Sequence, residues 1–211
     1  PPPPPPRDSI RRQRQMCIRD RLLATPGLLV MLALGPFLLQ ILYSEQFVAA
    51  FEILRWQLLG TFLRVVTWPL SFLLLAKARG RLYLWTELGT NLFYLVMAGL
   101  GINYLGLTGV GVAFLAMYVF HLGLMYFLAR RLSGFRWSGR DLRLVGVTFT
   151  AVIAGFVISF ASTSAVTTGL GLTLALAIGA YSLRSLYAMV GRATVAAYLQ
   201  RIRNSLGCSK V

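Results

Sequence analysis

Six runs of apolar residues, each about twenty long, recur along this chain, and nearly all of its charge lies between them. A run of that length crosses a hydrocarbon core of about 30 Å as one helix. A chain built this way has few options. In lipid every backbone N–H and C=O must be bonded internally, which leaves helices or closed barrels, and continuous apolar runs are not the alternating pattern of a barrel strand. The expected fold class is all-α, a polytopic transmembrane helical bundle with six spans. The spans are expected at about 22–43, 51–76, 82–101, 107–129, 144–161 and 169–189, forming a domain over 22–190, with a basic tail over 191–211.

Composition agrees: 57% of the residues are hydrophobic and only 13% charged, with a mean hydropathy of +0.69. The formal charge of +15 raises the question of a nucleic-acid partner. A nucleic-acid binder carries its basic residues on a folded soluble face, whereas here they punctuate membrane spans. No nucleic-acid partner is expected; membrane lipid is. The two cysteines, Cys17 and Cys208, sit at opposite ends, outside the spans. That spacing suggests neither a disulfide framework nor a metal site.

The connections alternate in charge. After the first span comes the acidic "SEQFVAAFE", after the second the basic "KARGR", and after the third the uncharged "NYLGLTG". The fourth is followed by the arginine-rich "RRLSGFRWSGRDLR", the fifth by the uncharged "STSAVTTG", and the sixth by a tail holding Arg192, Arg201, Arg203 and Lys210. Every second connection is positive. The positive-inside rule therefore puts the second and fourth connections and the C-terminus in the cytoplasm.

Polar residues within spans are costly and are functional candidates by default. On the second span Gln57, Thr61, Arg64, Trp68 and Ser71 follow at steps of four, three, four and three residues, one continuous helical stripe. Arg64 lies about twelve residues, or ~18 Å, from the cytoplasmic end, too deep to snorkel easily. Pro69 frees the carbonyl of Val65 close by. Two readings of Arg64 stay open: an anion-attracting, water-filled cavity, or an arginine bonded to neighbouring carbonyls that holds helices together.

The third span carries a second stripe, Tyr83, Glu87, Asn91 and Tyr94. In an antiparallel hairpin turning near Arg79, Arg64 would be level with Tyr94, and Glu87 with Ser71. A direct Arg64–Glu87 pair would then need an axial reach of about 10 Å, and none is expected. Glu87 could titrate in an ion-coupled cycle or pair with Lys77 or Arg81. Arg55 falls nearly opposite the Gln57 stripe, with Glu52 three residues before it, a spacing for a local ion pair. His121 has no second ligand at helical spacing on its own span and reads as a packing histidine. "GLTGVGVAF", Gly106 to Phe114, lacks the preceding strand a phosphate loop requires; small residues opening a membrane helix permit close packing instead. No paired carboxylates and no Ser-His-Asp set share one depth, so neither an enzyme nor a bound cofactor or metal is expected.

The stretch "PFLLQILYSEQFVAAFEILRWQLLGTFLRVVTWPLSFLLLAKARGRLYLWTELGTNLFYLV", followed by "GLTGVGVAFLAMYVFHLGLMYFLARRL" and "GFRW", resembles the C-terminal part of Wzx-type O-antigen flippases. These belong to the multidrug/oligosaccharidyl-lipid/polysaccharide exporter superfamily. The features that match are the proline-containing helix ending near "SEQF", then "LRWQLLG", "LLAKARG", "TELGTN" and "GLTGVGVAF", in that order, from Pro36 to Trp137. The resemblance implies a transporter of two lobes around a central cavity, of which these six spans form the C-terminal one. It also implies translocation of undecaprenyl-diphosphate-linked oligosaccharide across the bacterial inner membrane by alternating access. Lipid-linked oligosaccharide and a missing N-terminal half would be its partners. Arg64, with Gln57, Thr61, Ser71, Asn91 and Tyr94, would line the substrate cavity, and Glu87 would couple transport to an ion. Arg55 and His121 are weaker candidates. Alternatives are a small-molecule exporter of the same superfamily and a membrane-embedded polysaccharide polymerase or ligase, which should carry a large periplasmic loop.

Residues 1–21 stand apart. "RRQRQMCIRDR", Arg11 to Arg21, follows a polyproline run, and its codons can read as a common transposon-type library adapter, in frame throughout. It is expected to be non-native and disordered, in a chain truncated at its N-terminal side. A basic juxtamembrane segment on anionic lipid is the biological alternative. Without residues 1–21, which hold six arginines and two aspartates, the net charge is still +11.

Overall fold

The computed structural model describes residues 7–43, 50–76, 79–133, 137, 139–160 and 165–207. Side chains are described from 20 to 188 within these ranges, except at 76, 133, 140 and 165. Among them the chain is all helical: α1 (Arg7–Leu42), α2 (Phe51–Ala76), α3 (Gly80–Leu105), α4 (Thr108–Ser133), α5 (Gly139–Ile158) and α6 (Ala165–Gly207). Each contains a stretch long and apolar enough to cross a membrane. The protein is a six-span helical bundle, a multi-pass membrane protein.

Four starts fall within a few residues of the expected ones. The largest differences are at the two ends of the chain. α1 begins at Arg7 rather than near 22, so the arginine-rich segment from 7 to 21, expected to be disordered, is helical. Once the apolar span has paid for nucleation, each further residue adds a hydrogen bond, and arginine is a good helix former. Likewise α6 runs through most of the expected tail to Gly207. The "SEQF" residues, Lys77 and the side chains of the basic tail lie outside the described residues.

The helices pack as two trios. α4 lies against both α2 and α3, and α1 against both α6 and α5. α1–α2 and α2–α5 contacts join the trios. α2 and α3, joined as consecutive helices, touch only slightly, and α4 packs against both. The reason lies in the turn after α3. Gly106, at φ +62°, is a conformation glycine adopts without strain, and its N–H donates to the carbonyl of Ile102. The chain reverses there so tightly that Gly101 and Gly109 meet backbone to backbone. A Cβ on Gly109 would fall 2.1 Å from the Gly101 carbonyl oxygen. Gly111 in turn seats α4 on α2, against Ile53 and Trp56. "GLTGVGVAF" is a close-packing device, as its small residues suggested.

The principal core joins both trios through Leu29, Leu32, Phe62, Val66, Met117 and Val152. Aromatic contacts close the seam: Phe62 lies 5.8 Å from Phe149, and Trp56 meets Phe156 edge-on at 4.9 Å. α3 is the outlying helix, with only Thr86 and Thr90 buried. Leu84, Trp85, Leu88 and Leu92 on α3 are exposed, as suits contact with hydrocarbon or a further protein wall.

Candidate functional site

The three helices α2, α3 and α4 enclose a cavity of about 150 Å³, room for several waters. α2 contributes Arg64, Thr67, Trp68 and Ser71, α3 contributes Tyr83 and Glu87, and α4 contributes Tyr118 and His121. Helical spacing puts each set on one face: steps of three and four on α2, i and i+4 on α3, and i and i+3 on α4. A second hollow, between α1, α2, α5 and α6 near Pro36, Phe51 and Gly155, is only about 30 Å³.

Arg64 is exposed, at the cavity's edge. Its guanidinium rests 5.6 Å from the Trp68 ring centroid, a cation–π distance. Trp68 is itself 46% exposed. Among the described residues no carboxylate lies within ion-pair distance of Arg64. Arg64 and Glu87 both line the cavity, and among the described residues no ion pair joins them.

Glu87 instead faces α4. Its carboxylate Oε1 lies 3.6 Å from His121 Nε2, slightly long for a hydrogen bond. His121 is only 6% exposed, and its Nε2 has no hydrogen-bond partner among the described residues. The other face of its ring lies near Tyr118, centroids 6.1 Å apart. The packing histidine expected from its isolation along α4 thus meets an acidic residue from another helix. Spacing within one helix could not reveal that contact.

The remaining candidates are divided by the fold. Ser71 is buried and lines the cavity. Gln57 and Thr61 lie farther along α2, outside it, and the Thr61 hydroxyl donates to the Gln57 carbonyl at 2.8 Å. Asn91 is exposed, and its amide donates to the Glu87 carbonyl at 2.8 Å. Tyr94 packs edge-on to Phe114 at 6.3 Å. Each stripe contributes only its end nearest the α2–α3 connection, because toward the other end Phe114 and the stacked pair Phe93–Phe120 pack between the helices. Arg55 is away from the cavity: buried, paired with Glu52 at 2.5 Å, and over the Phe160 ring at 4.2 Å.

Two polar lining residues, Thr67 and Tyr118, were not singled out in the sequence, nor were the apolar Phe72 and Leu75. Thr67 stands at i+3 from Arg64 and i−4 from Ser71, a spacing as readable as that of Trp68, and its hydroxyl donates to the Leu63 carbonyl. Tyr118, three before His121, is one of nine tyrosines in an aromatic-rich chain and gives no separate signal. Among the described residues no group of three acidic, histidine or cysteine side chains could hold a metal. Comparison with protein-family models, with curated proteins and with solved structures finds no match for this chain.

Proposed function

We propose that this chain is one lobe of a transporter that carries undecaprenyl-diphosphate-linked oligosaccharide across the bacterial inner membrane. The observation that supports this best is Arg64, a mid-span guanidinium with no carboxylate partner among the described residues, at the open edge of a polar cavity. A cation at that depth is too costly to face hydrocarbon. A second lobe would supply the opposite wall, enclosing Arg64 and Trp68 in a central, water-filled passage. There the arginine would hold a diphosphate by charge-assisted hydrogen bonds, and the exposed indole offers a flat apolar surface for a sugar ring. Ser71 and Glu87 would complete the wall on this side. The alternating charge of the connections supports a cytoplasmic C-terminus. The resemblance of Pro36 to Trp137 to Wzx-type flippases supplies the substrate class.

The test is Arg64→Ala in the intact transporter. Surface polysaccharide is expected to fall by roughly tenfold or more, with membrane insertion unchanged. Export at the parental level by that variant would refute the reading.

A further inference from the structure

We infer that Glu87 and His121 together form a proton-binding site, one exchangeable proton held between a carboxylate of α3 and an imidazole of α4. The inference rests on the transport reading above only for what the proton accomplishes. The site itself stands on geometry. A histidine with a buried ring nitrogen and no hydrogen-bond partner is costly in any interior. Here that nitrogen is 3.6 Å from a carboxylate oxygen, within a cavity large enough for water. A proton between Glu87 Oε1 and His121 Nε2 satisfies both atoms after a movement of a few tenths of an ångström. Water in the cavity supplies the proton and takes it back, so only O–H and N–H bonds are made and broken.

The groups that face the pair define what the proton does. Arg64 comes from α2, Tyr83 from α3 and Tyr118 from α4. With the proton absent, the Glu87 carboxylate offsets the Arg64 charge, and the cavity is neutral. With one proton on the pair, the cavity carries a net positive charge and holds an anion more strongly. Anion binding and protonation are then linked, each favouring the other by the same factor. The α3–α4 contact is strongest with the proton bound, when imidazolium and carboxylate share a charge-assisted hydrogen bond. Sodium is the rival occupant, but a sodium site wants several oxygen ligands, and the histidine nitrogen occupies the position facing the carboxylate.

The chain contains a single histidine, so ring nitrogen-15 labelling of the full chain in lipid nanodiscs reports on His121 alone. Its signal is expected to change with pH, with the same midpoint in sodium and in choline buffers. Glu87→Gln is expected to move that midpoint by about one unit or more. Glu87→Asp is expected to keep the coupling, and Glu52→Gln to leave the midpoint unchanged. A ring signal that does not change with pH, a midpoint indifferent to Glu87→Gln, or a midpoint that moves with sodium would each overturn the inference. The sodium comparison uses the unsubstituted chain and decides even where a variant fails to fold. None of these readouts depends on transport, so they separate failure of the proton site from failure of the flippase reading.

Discussion

The two trios are made from nearly the same apolar material and differ in how they place polar groups. α1 buries one arginine, Arg21, which donates to the Val66 carbonyl of α2, while the α2–α3–α4 trio gathers several ionisable groups around one cavity. In α1, α5 and α6 several threonine hydroxyls turn back on their own helices, whereas the buried Ser182 hydroxyl of α6 has no hydrogen-bond partner among the described residues. Thr25 donates to the Arg21 carbonyl, Thr148 to Leu144 and Thr173 to Leu170. Such groups need nothing from a neighbouring helix, and the helices close on each other with a hollow of only about 30 Å³. The α2–α3–α4 trio has the same self-satisfied threonines in Thr67, Thr86 and Thr90. It adds Arg64, Glu87 and His121, whose needs cannot be met within one helix, and these surround the larger cavity. The difference teaches that hydroxyls alone do not mark a functional region in a membrane bundle. Ionisable side chains converging from three helices do.

Substitutions can break this contrast at several points. The largest effect is expected for Gly109→Val, which forces apart α3 and α4 at their closest approach and should cost about 3 kcal/mol or more. Gly123→Ala, on the same helix with open space around its Cα, should change stability by less than about 0.5 kcal/mol. Thermal unfolding in detergent, followed by circular dichroism, compares the two. Phe62→Ala removes the buried ring that spans the seam between the trios. With hydrocarbon outside, the loss is mainly of packing contacts, and about 2 kcal/mol is expected from the cavity left behind. Arg64→Leu should act in the opposite direction, raising the stability of the isolated chain by about 1 kcal/mol while export by the intact transporter is lost. A fall in stability instead would identify Arg64 as a structural tie. The smallest effect belongs to Thr148→Val, whose hydroxyl bonds only within α5; less than about 1 kcal/mol is expected, with export unchanged.

The helices were legible because lipid leaves one solution for each apolar run. α2 spans Phe51–Ala76, the expected interval, since its ends are marked by composition. The helical continuation into 7–21 was not legible, because composition reports where a helix is obliged to form and not how far it propagates. The site was legible helix by helix: Arg64 and Ser71 share a face of α2, and Tyr83 and Glu87 share one of α3. How the faces met was not. Insertion of α4 between α2 and α3 depends on the backbone contact of Gly101 with Gly109, a matter of three-dimensional fit. That insertion brings His121 to Glu87 and leaves Asn91 and Tyr94 outside the cavity.

The central claim is that the α2–α3–α4 cavity is an aqueous site within the membrane, whereas the α1–α5–α6 interior is dry. The most direct measurement is the rate at which a charged methanethiosulfonate reagent modifies a single cysteine placed in each region. With Cys17 and Cys208 replaced by serine, Ser71→Cys lies on the cavity wall and Thr148→Cys in the buried face of α5. In the membrane-embedded intact protein, Ser71→Cys is expected to react faster than Thr148→Cys by roughly tenfold or more. Equal, slow modification at both positions would contradict the account.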